Sequence, residues 1–97
     1  MAFVQIVSYS TASPDALAEA HRVWREATDG VSAPYRRLLL RDREDPERFV
    51  EVVFYGSYED AAHNAFLPAT AAILGHAAAD AERGVTVRHL DVVTDER

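Results

Sequence analysis

Apolar runs rich in β-branched and aromatic residues mark four strand-like stretches of this chain, and hydrophobic positions recur at helical spacing in a fifth. Residues 3–10 are β-branched and aromatic. Phe3, Gln5, Val7 and Tyr9 fall on one face of a strand, with Val4, Ile6 and Ser8 on the other. Ser13-Pro14 then reads as an N-cap followed by proline at the first helical position. Leu17, Ala20, Trp24 and Ala27 recur at helical spacing, and Gly30 is a natural stop, so the first helix spans about 14–28. A second strand is expected over 35–43, with Leu38 and Leu40 on one face and Tyr35, Arg37, Leu39 and Arg41 on the other. A polar turn around Pro46 leads into a third strand over 48–56, completing an antiparallel hairpin.

The segment 56–76, GSYEDAAHNAFLPATAAILGH, carries the densest local information. Ser57 and Asp60 resemble a capping box, with Glu59 also in the first turn. Pro68 should end that helix near Leu67, because proline biases its predecessor away from helical geometry. Thr70 can cap a second helical segment over 71–82, and a last strand is expected over 85–93. The order β-α-β-β-α-β is the ferredoxin-like split βαβ pattern, with both helices on one face of a four-stranded antiparallel sheet. The strands are apolar on both faces. Val50, Val52 and Phe54 point one way, Phe49, Val53 and Tyr55 the other, whereas a sheet with one wet face should alternate. That pattern predicts a homodimer in which the two helix-free faces cover each other.

Composition narrows the function. At 97 residues the chain is one domain, 1–97. A net charge of −6 and the lack of a basic stripe argue against nucleic acid as a partner, and against an anionic membrane surface. No run approaches the length of a membrane span. There is no cysteine, which excludes disulfides, thiolate metal sites and cysteine nucleophiles and fits a cytoplasmic location. All ten basic residues are arginine, so lysine Schiff-base chemistry is excluded too. With many alanines, this reads as the codon bias of a GC-rich genome.

AEAHRVWREAT around Trp24, LLLRDREDPERFVEVVFYGSYEDA, the proline-broken AAHNAFLPAT and the terminal HLDVV together resemble the dimeric α/β-barrel superfamily. The likeness is in particular to an actinobacterial-type member of its antibiotic biosynthesis monooxygenase (ABM) branch, over nearly the whole chain. The resemblance implies a ferredoxin-like fold dimerising into an α/β barrel. It also implies a pocket for a planar hydrophobic or aromatic molecule, and cofactor-independent monooxygenase or cyclase chemistry on polyketide-type substrates. Haem-degrading members ligate iron through a histidine placed like His76. They also have a tryptophan earlier in that helix and an asparagine on the first strand. This chain has His63 and Asn64 in the first of those places and only Gln5 and Ser8 in the second. The expected site is therefore cofactor-free, with non-catalytic haem or ligand binding as the alternative.

The candidate catalytic residues are His63, Asn64 and His76. Glu59 precedes His63 by one turn and Asp80 follows His76 by one turn, so each histidine has a carboxylate that could orient it. A surface Glu-His pair would show the same spacing. Trp24, Tyr55, Tyr9 and Phe66 are the candidate substrate-binding aromatics, and each could equally be core. Arg37, Arg41, Glu51 and Arg88 read as charges on a solvated face or edge, or paired across a dimer interface. No metal site is expected, because the histidines lack ligand spacing.

Overall fold

The chain is described from a computed structural model covering residues 2–72 and 84–97. Its elements are β1 (Phe3–Ser10), α1 (Pro14–Ala27), β2 (Tyr35–Arg41), β3 (Arg48–Tyr55), α2 (Tyr58–Ala65) and β4 (Val85–Asp91). Residues 68–72 form a further helical turn after the break at Phe66 and Leu67. The sheet order is β2-β3-β1-β4, antiparallel throughout, which is the ferredoxin-like arrangement expected from the element order. Among the described residues no helix is long and apolar enough to cross a membrane.

Both helices lie on the sheet face that carries the odd-numbered residues of β1, β2 and β3. At one end Leu17 of α1 packs with Val7, Tyr9 and Phe49, and Val85 closes the cluster from β4. Tyr9 and Phe49 stack with centroids 6.0 Å apart. At the other end Phe3 meets Tyr58 of α2 edge-on and Tyr55 at a tilt. Between these two ends the site lies over the middle rows of the sheet. The helix-free face presents Val4, Ile6, Leu38, Val50, Val52, Phe54 and Leu90, all half-buried, and Leu40, which is 47% exposed.

Chain ends and turns follow local hydrogen-bond chemistry, with two departures from expectation. Ser57 caps α2 as its sequence predicts, accepting the Asp60 N–H at 3.2 Å. Ser13 holds the N-cap position of α1 but its side chain makes no capping bond. Thr11 Oγ1 instead accepts the Ser13 N–H at 2.9 Å, and Pro14 removes one of the donors a cap would have served. Thr70 does not start the second helical segment, because the chain is already helical from Pro68, a proline in the first turn where its missing N–H does no harm. The 71–82 segment expected from sequence lies mostly outside the described residues. Gly30 takes φ +80° just beyond α1, the left-handed stop anticipated for it. In the β2–β3 turn, Asp42 Oδ1 accepts the N–H groups of Glu44 and Asp45 at 2.7 and 3.2 Å.

The two helix starts give a paired prediction. Ser57→Ala should cost about 1 kcal/mol in urea unfolding, the usual value of a lost N-cap bond. Ser13→Ala should fall within about 0.5 kcal/mol of the parent. Equal losses at both positions would contradict the capping described.

Candidate functional site

A cavity of about 150 Å³ lies between the sheet and the helices. Among the described residues its floor is built from the odd-numbered positions of three strands: Gln5 and Val7, Tyr35 and Arg37, and Glu51, Val53 and Tyr55. His21 and Trp24 of α1 form one wall. Ala61, Asn64 and Ala65 of α2, with Thr70 beyond the break, form the other. The small α2 residues leave the room that the aromatic wall then shapes. The volume matches that of an apolar protein cavity known to take a benzene, so it holds about one aromatic ring.

The Trp24 wall is fixed by a consequence of Pro68. In an unbroken helix the N–H of residue 68 would bond the Asn64 carbonyl; proline has none. The Thr70 hydroxyl donates to that carbonyl at 2.5 Å and accepts the Trp24 Nε1–H at 2.9 Å. The Leu67 N–H also reaches that carbonyl, at 3.3 Å, so the hydroxyl adds a second and shorter donor to it, satisfies a buried indole donor, and ties α1 to the far wall. His21, one turn before Trp24, stacks on the indole with centroids 5.8 Å apart and planes 16° from parallel. Tyr35 meets both rings edge-on. Burial, and then the cationic Arg37 and Arg25, push the His21 imidazole down to about 4, so it is neutral at physiological pH.

Across the floor Arg37 and Glu51 form an ion pair. They sit diagonally on one face of the β2–β3 ladder, since Arg37 pairs with Val53 and Leu39 with Glu51. Arg37 donates from Nε to Glu51 Oε1, and its Nη2 contacts the same oxygen. Both side chains are about one-fifth exposed. The charges are felt nearby. Burial first, then the Glu51 carboxylate, push the Tyr9 hydroxyl up to about 12, against the opposing Arg37. Burial also raises Tyr55, offset in part by a hydrogen bond with Asn64, and burial raises Tyr35. Gln5 approaches His89 of β4 at 3.4 Å, Nε2 to Nε2.

The expected site residues separate into groups. Trp24, Tyr55 and Asn64 line the cavity. Asn64 is 2% exposed, and its amide is committed to the α1–β2 connection: Oδ1 accepts the Ala33 N–H at 2.7 Å and Nδ2 donates to the Ala33 carbonyl at 3.2 Å. His63 is exposed, with Nε2 2.6 Å from the Val31 carbonyl, so two successive α2 residues clasp the same loop. Tyr9 belongs to the packed cluster beside the cavity, and Phe66 is 88% exposed. His76 and its partner Asp80 lie outside the described residues. Among the described residues no group of histidine and carboxylate ligands could hold a metal. His21, Tyr35, Thr70 and the Arg37–Glu51 pair were not among the expected site residues. His21 could have been found, since it lies four residues after Leu17 and three before Trp24, on the buried stripe of α1.

This geometry defines a small ferredoxin-like α+β domain with an aromatic cavity under its helices. No family model matches the chain, and no curated protein matches it. Its fold does match solved structures. A Nitrosomonas europaea protein assigned as an antibiotic biosynthesis monooxygenase superposes with TM-score 0.76 at 22% identity, over 95% of this chain and 90% of that one. A mutant of SnoaB, a cofactor-independent oxygenase from Streptomyces nogalater, superposes with TM-score 0.80 at 10% identity, over 97% and 95%. Another antibiotic biosynthesis monooxygenase gives 0.74 at 18% identity, over 97% and 100%. At these identities the likeness is one of fold.

The depressed His21 value makes a signed prediction. The unfolded chain protonates this imidazole near 6.5 and the folded chain only near 4, so its contribution to stability is full above pH 6.5 and is lost as pH falls to about 4. His21→Phe, which keeps a stacked ring, should flatten the fall in Tm over that interval. NMR titration of His21 with a midpoint near 6.5 would contradict the burial described.

Proposed function

We propose that the cavity binds one ring of a planar, enolisable aromatic or polyketide-type molecule, and that the chain acts as a cofactor-independent monooxygenase or cyclase. The observation that carries this reading is the cavity itself: a one-ring volume walled by Trp24, His21 and Tyr35, with a charged pair on its floor. The monooxygenase names of structures sharing this fold support it. Carbanions of such substrates react with oxygen or cyclise by themselves. The protein then needs to orient the ring, stabilise its anion and exclude water. Trp24 would supply the flat wall, and the Tyr55 hydroxyl, beside Asn64, a hydrogen-bonding group at the ring edge. Asn64 acts here by holding the loop that delivers Tyr35.

The same reading takes the protein to be a homodimer. The apolar, helix-free face would be covered by the same face of a second copy, which a two-fold axis allows without leaving an open contact. Light scattering should then give a particle of twice the 10.8 kDa chain mass at micromolar concentration; a particle of one chain mass would exclude that arrangement.

A second reading, binding without catalysis, is favoured by the commitment of the Asn64 amide to Ala33 and by the weak basicity of His21. Its haem version depends on His76, outside the described residues. Oxygen uptake with anthrone as probe separates the two. Catalysis predicts uptake that falls at least about tenfold in Trp24→Ala and changes little in Phe66→Ala. Anthrone binding, seen as quenching of the single tryptophan, without uptake would favour the second reading. Uptake undiminished in Trp24→Ala would place the chemistry elsewhere.

A further inference from the structure

The Arg37–Glu51 pair is an unusual floor for an otherwise aromatic cavity. A surface ion pair needs no function, but this one sits under the helices and lines the space a ligand would fill. Its two contacts converge on one carboxylate oxygen. Among the described residues neither the second oxygen, Oε2, nor the third guanidinium nitrogen, Nη1, has a hydrogen-bond partner. An acceptor and a cationic donor are thus left side by side. His21, the other basic group of the cavity, faces the same cation and is a poor proton acceptor.

We propose that Glu51 is the proton acceptor of this cavity and Arg37 the counter-ion of the anion it generates, so that the ion pair exchanges partners when a neutral acidic ligand binds. The proposal rests on the aromatic-pocket reading above. In the step, the ligand O–H (or the C–H beside a carbonyl) breaks, its proton joins the Glu51 carboxylate, and the bonding pair stays on the ligand as a phenolate or enolate. Arg37 then pairs with that oxyanion, and neutral Glu51 can donate a hydrogen bond back to it. The cavity holds one cation and one anion before the step and one of each after it. No net charge is buried, which is the condition for proton transfer in a poorly solvated site.

The same accounting selects the ligand class. Arg37 can pair with whichever oxygen carries the charge, so its presence does little to bias the transfer. The difference in intrinsic acidity decides it, at a factor of ten per pK unit. A simple phenol lies about six units above a carboxyl, a millionfold deficit. An enol of a β-dicarbonyl, or an electron-poor phenol, lies within a few units and is within reach. The cavity is therefore suited to ligands that arrive neutral and are acidic enough to ionise against a carboxylate. Permanent anions such as aryl carboxylates are disfavoured, because they would leave Glu51 and the ligand as two negative charges on one guanidinium.

The test uses 2-chloro-4-nitrophenol, a nitrophenol within about one unit of a carboxyl that changes absorbance on ionisation, and its methyl ether, which cannot ionise, in buffer acidic enough to keep free nitrophenol mostly neutral. Both should bind the intact protein. Bound nitrophenol should show roughly a tenth of the full nitrophenolate band, as a one-unit deficit allows, and calorimetry in two buffers of different ionisation heat should find no proton released. In Glu51→Gln the band should persist on Arg37 with about one proton released per site, since the acceptor is gone. The double variant R37M/E51M replaces the pair by apolar groups of similar size and avoids a lone buried charge. It should bind both compounds and leave nitrophenol neutral. If both bind the parent but nitrophenol stays neutral, or ionises with a proton lost to buffer, the partner exchange is overturned and the pocket reading stands. If neither binds, both fall.

Discussion

One threonine hydroxyl organises this molecule. Pro68 has no N–H for the Asn64 carbonyl, Leu67 reaches it only at 3.3 Å, and the Thr70 hydroxyl gives it a shorter bond while accepting the indole N–H of Trp24. Neither Thr70 bond is worth more than about 1–2 kcal/mol, but the indole N–H left unsatisfied in this half-buried place would cost as much or more. Because one hydroxyl serves both, the break in the second helix and the orientation of the first are no longer independent. Trp24 is held flat, His21 stacks on it, and Tyr35 closes on both. Asn64 works from the same turn in the other direction, using its side chain to hold Ala33, two residues before Tyr35. Main-chain and side-chain groups of one residue thus fix opposite sides of one cavity.

Burial is the first cause of the shifted titrations around the cavity, and its only described ion pair adds to them. Burial, then Arg37, lower His21; burial raises Tyr9, Tyr35 and Tyr55, with Glu51 adding to Tyr9 and Tyr55 and Arg37 opposing the rise of Tyr9 and Tyr35. The aromatic groups around the pair are all held neutral at physiological pH: imidazole below its ordinary range, phenols above theirs. This leaves one mobile charge relationship in the site, that between Arg37 and Glu51, and it is why proton movement is assigned to the pair and not to a histidine.

Strands and helices were legible in the sequence because β-branched and aromatic runs marked the strands, while caps, a proline break and the helical spacing around Trp24 marked the helices. The 3–10 run matches β1 at both ends, and the hairpin is placed to within two residues. The site was less legible, for identifiable reasons. Asn64 stood out as the only asparagine, at a break, but its partner Ala33 is 31 residues away and offers only backbone, which carries no sequence signal. Thr70 had the right residue type for a cap and was read as one. Its actual role depends on Trp24, 46 residues away. Arg37 and Glu51 were read as charges on a solvated face or edge, the commonest fate of such residues, or as charges paired across a dimer interface. Only their diagonal register in the ladder brings them together beneath the helices. Phe66, which a pocket reading favours for its ring, faces outward because α2 ends at Ala65 and the chain turns before its side chain can face the sheet.

The double-sided apolarity of the strands has a consequence for the site. If the even-numbered face were wet, the sheet under the cavity would be one layer thick against solvent, and Arg37 and Glu51 would be separated from water by backbone alone. Covering that face with Val52, Leu38 and Phe54 of a second copy would raise the thickness of low-dielectric material beneath the pair and strengthen its interaction, since a close pair gains several-fold between a surface and an interior environment. Dimer formation and cavity electrostatics would then be linked through the sheet without any side chain of one copy entering the site of the other. Burial under the helices of the single chain is the first cause of the His21 depression and Arg37 the second, so weakening the interface, for example by Val52→Asp, should raise the His21 midpoint only slightly, as Arg37 becomes better screened, which NMR can read in the dissociated chain. A His21 midpoint unchanged on dissociation would mean that the helices, not the second sheet, set the dielectric of the cavity.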